Sequence, residues 1–568
     1  MVTIKSWALH LSTRIETRGN DHNAQGLHQN VGRSLTSCDT NPSFGEAGDA
    51  SPLKNQIKGV ADALRFPGFV AGVVRGGRLV DVQAEGFADI EGKLPMQRDN
   101  IFNVASLTKT FTAVMMMQFQ REKRLNIDDY VLDYPFLSVG FSSDRLLDAN
   151  TRLKHVLSHT SEGTPGDNFV YSGSRYNFLY GVFESMSGNK QHYQAVSQEL
   201  SHRILQPLDM QGTVGGYPGE ADKAHRAKLV TPYLLDSNHK VPVRDEAMPG
   251  YSSTLFPATN VFTCLDDLVK YMTALDDNVL IPAEYYNLMT TPFVLNGGSR
   301  SPYGLGWSTQ VVSNLKVHWH YGWGDSYSAL IVRVPEKKTS FVLLVNSSGA
   351  SAPFTLQYGN VLASPFAVAF LNTLIPKSAP AARPTTDPAP NLLTGISPES
   401  PLFLDALLSE VLLDQYMETS FGTFAGQANT LLRYLVKAAP ERFRRADWTL
   451  LGALTSTKEK DFSGPVRAMS RAYRESALFH PDVSSGIADY YARIGEGEQS
   501  TEWLRDTVRR SGYGEEPTMR RACVERGSQL LRSGQISEGR QLLWKAAQYG
   551  RTTESESYQQ GLISKMKP

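Results

Sequence analysis

The sequence predicts an α/β (α+β) domain, a sheet flanked by helices, followed by an all-α domain. Three observations carry this. Paired strand signals occur at residues 69–84 and again at 327–345, helical segments lie between them, and the pattern changes in kind after a proline-rich stretch at 377–390. Strands at both ends of a region with helices between them describe one sheet completed by distant parts of the chain. At 568 residues the chain exceeds what one hydrophobic core usually serves, so two domains are the default and a third is open.

Residues 1–53 are rich in Asn, Ser, Asp and Gly with little periodicity and are read as a disordered leader. Lys5, Arg14 and Arg18 against Glu16 give its start a faint likeness to an organellar transit segment. The folded part opens with a helix-like stretch at 53–64. Two strand-like runs, 69–75 and 78–84, follow and are joined by Gly76-Gly77, a two-residue hairpin signal. Helical segments are expected around Ser106, at 153–157 and at 178–185. A second hairpin is written in 327–334, the turn 335–338, and 340–345. Pro380, Pro384, Pro388 and Pro390 then stiffen residues 377–398 into an extended linker. Beyond it, 399–568 is helical in pattern throughout. A stretch from Tyr491 through Gly495 to Leu504 is echoed from Leu530 through Gly534 to Leu543, at a spacing of about 39. That resembles helix-turn-helix repeats of the tetratricopeptide type, whose period is about 34. An irregular helical domain fits equally well. The expected organisation is thus a leader at 1–53, an α/β domain at 54–376, a linker at 377–398 and a helical domain at 399–568.

Composition narrows the function. Hydrophobic residues make up 41% and charged residues 20%, an ordinary globular balance, and 57 basic against 57 acidic side chains leave no net charge. No basic footprint for nucleic acid exists. Cys38, Cys264 and Cys523 are scattered, with neither zinc-type nor redox-type spacing, and are read as ordinary thiols. No apolar run approaches the roughly 20 residues that span a bilayer, and the N-terminus lacks a signal-peptide core. A soluble protein follows, with its compartment open and the cytoplasm as the default.

Ser106-Leu107-Thr108-Lys109 lies where a polar segment turns into the apolar run 111–117. At the start of a helix this spacing puts hydroxyl and amine on one face, a turn apart, so that Lys109 can take the proton of Ser106. Acyl transfer through a serine ester is the chemistry it serves. The same spacing also occurs at Ser51/Lys54, Ser187/Lys190, Ser237/Lys240, Ser313/Lys316 and Ser564/Lys567. These lie in polar termini, turns or strand-like segments; only Ser106 is expected to open an amphipathic helix, with Phe111, Val114, Met115 and Phe119 at helical spacing.

Tyr171-Ser172-Gly173 and His320-Tyr321-Gly322 follow in that order. With them the chain resembles the serine β-lactamase and penicillin-recognising family, especially its class C and esterase-like members, over about residues 55–375. The stretches 153–163, 207–210, 266–272 and 303–307 are similar too. The resemblance implies a β-lactamase-like fold, an antiparallel sheet flanked by helices, and assigns roles. Ser106 is the nucleophile, Lys109 the base, and Tyr171 the proton shuttle beside the hydroxyl. His320 polarises Tyr171 or meets a substrate carboxylate. The amides of Ser106 and of Trp323, on an edge strand after Gly322, form the oxyanion hole, and Gly322 leaves room for substrate.

The sequence departs from the family at Gly173, where Asn is usual and contacts the substrate amide; Asn177 is nearby but out of register. Glu162 replaces a Gly, and Thr259-Asn260 a Gly pair. His155 and His159 have metal-ligand spacing on a helical face but lack the accompanying glutamate, so a structural role is expected and no metal or cofactor. The expectation is a serine hydrolase acting on an ester or small amide, a small-molecule or peptide substrate. A D-amino-acid peptidase, an amidase or a β-lactamase is the alternative. From another class comes a catalytically weak scaffold that binds a protein partner through its C-terminal helices.

Overall fold

The computed structural model describes residues 51–134, 147–187, 194–235, 241–246, 253–376, 392–421, 427–457, 459–476, 479–510, 517–535, 537–539 and 542. All but the last three residues of the expected leader, and all but 392–398 of the expected linker, lie outside these.

The chain enters through helix α1 (Pro52–Ala63), two residues into the stretch read as leader. Ser51 caps it by accepting the Lys54 amide, and Pro52 takes the first helical position, where a missing N–H costs nothing. This is what the Ser51/Lys54 spacing does. Leu53, Ile57, Val60 and Ala61 form its buried stripe.

Among the described residues twelve strands follow in chain order: β1 (Gly68–Arg75), β2 (Arg78–Asp89), β3 (Leu94–Pro95), β4 (Phe102–Asn103), β5 (Val214–Gly215), β6 (Tyr233–Leu234), β7 (Val243–Arg244), β8 (Val261–Thr263), β9 (Ser308–Val312), β10 (Leu315–Trp323), β11 (Ser328–Val334) and β12 (Thr339–Val345). Seven of them make one sheet in the order β3-β2-β1-β12-β11-β10-β9. The long pairs are antiparallel, and β1 against β12 joins the two ends of the domain, Phe69 opposite Val345. Both expected hairpins form. Gly76 and Gly77 have φ of 56° and 77°, the left-handed pair a two-residue turn of this hand requires. Ser313 and Asn314, at 47° and 69°, make a similar turn between β9 and β10, which explains another of the six Ser/Lys spacings.

The central strands β1, β11 and β12 are buried almost end to end because both sheet faces are covered. On one face lie α2 (Thr108–Arg121) and the helix Leu265–Asp276. On the other lie α1, the helix Pro365–Asn372 and the C-terminal helices. The α2 helix corrects an expectation: it is buried on all sides from Thr108 to Phe119 and is not amphipathic. Its polar side chains bond to backbone. Thr112 donates to the Pro257 carbonyl at 2.8 Å, Gln118 to Leu280 at 3.1 Å, and Thr108 accepts the Val261 amide at 3.0 Å.

The described part of the C-terminal region is helical, as its pattern predicts: Phe403–Phe421, Ala428–Ala438, Trp448–Ser456, Ser463–Glu475, Pro481–Arg493, Gly497–Arg510 and Pro517–Arg532; residues 543–568 of the expected helical domain lie outside the described residues. The echo noted in sequence is real at the level of helix ends. Glu496 donates to Tyr491 and Gln535 to Leu530, both at 2.9 Å, so Gly495 and Gly534 close their helices in the same way. Among the described residues no packing break separates sheet from helices. Val332, Phe341 and Phe370 belong to one core with Leu407, Leu451 and Tyr490. No helix among the described residues is long and apolar enough to cross a membrane.

Candidate active site

Ser106 lies in a single 3-10 turn, Ala105–Leu107, just ahead of α2 rather than in the helix itself. Ala105 holds a left-handed backbone, φ 44°, unfavourable for a side chain with a Cβ. The Asn103 carboxamide secures it by accepting the Ala105 amide at 2.8 Å. The turn therefore presents Ser106, half-buried, with its amide at the helix start where no intrahelical acceptor exists.

Lys109 Nζ sits 2.7 Å from Ser106 Oγ. The side chain is fully buried, and desolvation lowers its pKa from 10.5 to about 7. Nζ also donates to the Ala258 carbonyl at 3.2 Å. A carbonyl can only accept, so it takes an N–H of the neutral amine and leaves the lone pair to the Ser106 hydroxyl. The rings of Tyr171 and Tyr176 stand 5.1 and 5.5 Å from Nζ and soften the cost of the transient ammonium.

Tyr171 is half-buried, but its hydroxyl is enclosed and makes no well-aligned hydrogen bond among the described residues. The Ser106 and Tyr321 hydroxyls face it and favour its ionised form; burial outweighs both and raises its pKa, so it is a phenol at neutral pH. Gly324 donates to Tyr327 at 2.9 Å, closing the β10–β11 hairpin. Pairing alternates along an antiparallel ladder, so the Trp323 amide faces the opposite edge. There β9 pairs only as far as Trp319. β10 is thus not the sheet's edge strand, as the sequence reading had it, but beyond Trp319 β9 does not pair with it.

Two expected roles change. Gly322 does not leave room for substrate: a Cβ there would stand 2.2 Å from the Val104 carbonyl oxygen, so its hydrogen lets β10 close on the turn that carries Ser106. His320 is fully buried with both ring nitrogens engaged. Nδ1 is 2.7 Å from the Tyr321 carbonyl, which can only accept, so Nδ1 carries the proton and Nε2 accepts from the Tyr303 hydroxyl at 2.8 Å. Burial depresses its pKa to about 3. It is a neutral part of the wall, turned to Tyr303 rather than to the Tyr171 hydroxyl or a substrate carboxylate. His318, two residues earlier on the same strand face, bonds Tyr286 at 3.0 Å.

Residues 53–363, more than half of the chain, match the Beta-lactamase family model. The chain belongs to the beta-lactamase family. It is 23% identical to Protein flp of Staphylococcus aureus strain MW2 over 329 residues, covering 52% of this chain and 62% of that protein. It is 22% identical to a D-aminopeptidase of Cereibacter sphaeroides, covering 53% and 61%. The chain therefore spans about three fifths of the length of these relatives. Among solved structures it is similar to an octameric penicillin-binding protein homologue from Pyrococcus abyssi, with a TM-score of 0.47 at 21% identity over 55% of this chain and 76% of that one. A penicillin binding protein from Bacillus halodurans gives 0.45 at 17%, over 56% and 100%.

Within this beta-lactamase-family site the departures noted in sequence acquire a geometry. A Cβ on Gly173 would stand 3.9 Å from Lys109 Nζ, so the usual Asn side chain is missing from beside the lysine. Asn177 acts at one remove, its Oδ1 accepting the Ala258 amide at 3.0 Å while the Ala258 carbonyl holds Lys109. Glu162 pairs with Arg175 at 2.5 Å, both buried, and Arg175 also donates to the Ser161 carbonyl at 2.9 Å. His155 and His159 do not share a helical face, because the helix ends at Leu157 and His159 turns left-handed at φ 56°. Their Nδ1 atoms accept the Arg152 and Ser172 amides, each at 3.1 Å. Asn103 and Ala258 escaped the sequence reading, and Tyr303 entered it only as the start of 303–307, without a role of its own. Asn103, three residues before Ser106, was the one within reach of a local signal.

Proposed function

We propose that the protein is a serine hydrolase acting through an acyl-Ser106 intermediate on an ester or small neutral amide. The observation that carries this is the buried Lys109 amine, 2.7 Å from Ser106 Oγ and with its pKa lowered to about 7. Half of it is free base near neutrality, the condition for a general base. In the first step Lys109 takes the hydroxyl proton as Oγ bonds to the acyl carbon. The Ser106 and Trp323 amides receive the oxyanion. Collapse breaks the bond to the leaving group, which takes a proton from the Tyr171 phenol while the Lys109 ammonium returns one to Tyr171. Water then attacks the ester, giving its proton back along the same path, and releases the acid and Ser106.

The substrate class follows from charge. His320 stays neutral, and Arg175 is committed to Glu162. Neither therefore offers a positive charge to a substrate carboxylate, which a penicillin or a D-alanyl peptide carries. The D-aminopeptidase relative favours a second reading, an amidase for substrates whose anionic end lies far from the scissile bond. Steady-state kcat/KM on a p-nitrophenyl ester, a D-alanine p-nitroanilide, a penicillin and a D-alanyl-D-alanine peptide separates them. The neutral ester is expected to be turned over at least ~10-fold faster than either carboxylate-bearing donor, and Ser106→Ala to abolish all turnover. A penicillin turned over as fast as the ester would contradict the assignment of substrate.

A further inference from the structure

Tyr171 is carried by residues 161–172, a loop without helix or strand. One edge of the loop is bonded to His159: the Val170 amide to its carbonyl at 2.9 Å, the Ser172 amide to its Nδ1 at 3.1 Å. Asn296 ties the far end of the loop, its amide donating to the Gly166 carbonyl at 2.9 Å and its side chain to the Pro165 carbonyl at 3.0 Å; nearer Tyr171 the loop is seated by Phe169, two residues before it and so on the same side of an extended segment. Phe169 is buried and near-parallel to two rings: Tyr303, at 6.0 Å and 26°, and Trp448, at 6.3 Å and 14°. Tyr303 is the donor to His320 and stands 6.2 Å from the Tyr171 ring.

Trp448 comes from the C-terminal helices. It is the first residue of the helix Trp448–Ser456, whose N-terminus Asp447 caps by accepting the Leu450 amide at 3.0 Å. Its ring is held by His480 at 5.4 Å and Tyr358 at 6.2 Å. The indole N–H is buried and has no hydrogen-bond partner among the described residues. An indole at a site that leaves its N–H unsatisfied is there for its aromatic face.

We propose that Trp448 is a positioning residue for the active site: the C-terminal helices complete the site by clamping, through Phe169, the loop that carries Tyr171. The proposal rests on the acyl-transfer reading of Ser106 and Lys109 for its effect on rate. It does not rest on it for the clamp itself, so two readouts are taken on the full chain with Trp448→Leu, Trp448→Phe and Phe169→Leu.

The first readout is hydrogen–deuterium exchange by mass spectrometry. Trp448→Leu and Phe169→Leu are expected to speed exchange in the peptide holding the Val170 and Ser172 amides by at least ~10-fold, with β11 and β12 unchanged and Trp448→Phe near the original. The second is p-nitrophenyl ester turnover. The Leu variants are expected to lose ~10- to 100-fold in kcat with KM nearly constant and the pH limb near 7 in place, since Lys109 is held elsewhere; Trp448→Phe restores the rate. Unchanged exchange at that loop, uniform loss of protection over the whole chain, or an original kcat in Trp448→Leu would overturn the proposal. If the unsubstituted protein forms no acyl-enzyme but the loop still responds, the clamp stands and the acyl-transfer reading fails.

Discussion

At the scale of residues the site depends on one buried amine. Free lysine titrates at 10.5 and Lys109 at about 7. Between those pH values the unfolded chain binds the extra proton, so stability from this group rises with pH across the window and its penalty is fullest below 7. The shift corresponds to about 5 kcal/mol. Lys109→Met is therefore expected to abolish acylation and to raise the melting temperature at pH 7, a pairing that ordinary loss of structure does not give. The kcat/KM profile should rise with pH along a limb near 7. His320→Gln should keep that limb, because His320 is neutral well below it; a limb that vanished with the histidine would return His320 to the proton path. Asn177→Ala, which frees the Ala258 amide, is expected to lower kcat by ~10-fold and to raise KM little.

At the scale of elements the decisive contact is between β10 and the turn before α2. Gly322→Ala pushes a methyl against the Val104 carbonyl and is expected to cost about 1–3 kcal/mol, read as a lower midpoint in urea, and most of the activity. An unchanged midpoint would mean that the approach of strand and turn is looser than described. Both hairpins, the helix at 153–157 and the order of the three motifs were legible in sequence because each is written locally, in turn residues and short spacings. The surroundings of Lys109 were not. Ala258 lies 149 residues away and acts through its backbone carbonyl, which no side-chain pattern announces. The reading of α2 as amphipathic failed for a related reason. Its threonines look like a polar face but are satisfied by Pro257, Leu107 and Val261 in the interior. His320 was recognised by its position in a motif, while its tautomer is set by the Tyr321 backbone carbonyl and its Nε2 is taken up by Tyr303, seventeen residues back.

At the scale of the molecule the helices after the proline stretch are packed into the same core as the sheet, with Phe169 against Trp448 and Phe403 to Leu413 over the segment that follows β12. Composition marked where the pattern changes; it carried no information on how far the two parts bury each other. A single cooperative transition in urea, probed by far-UV circular dichroism and tryptophan fluorescence together, is expected for the full chain, and a chain ended at residue 376 should fail to fold. Two separated transitions would divide the core. All of these expectations serve one claim, that Ser106 becomes acylated with Lys109 as its base. Intact-mass analysis after a neutral activated ester, with peptide mapping, tests it most directly: one acyl group on Ser106 in the original protein and none in Ser106→Ala or Lys109→Met. An adduct that persists in Ser106→Ala, or none with any donor, would contradict the account.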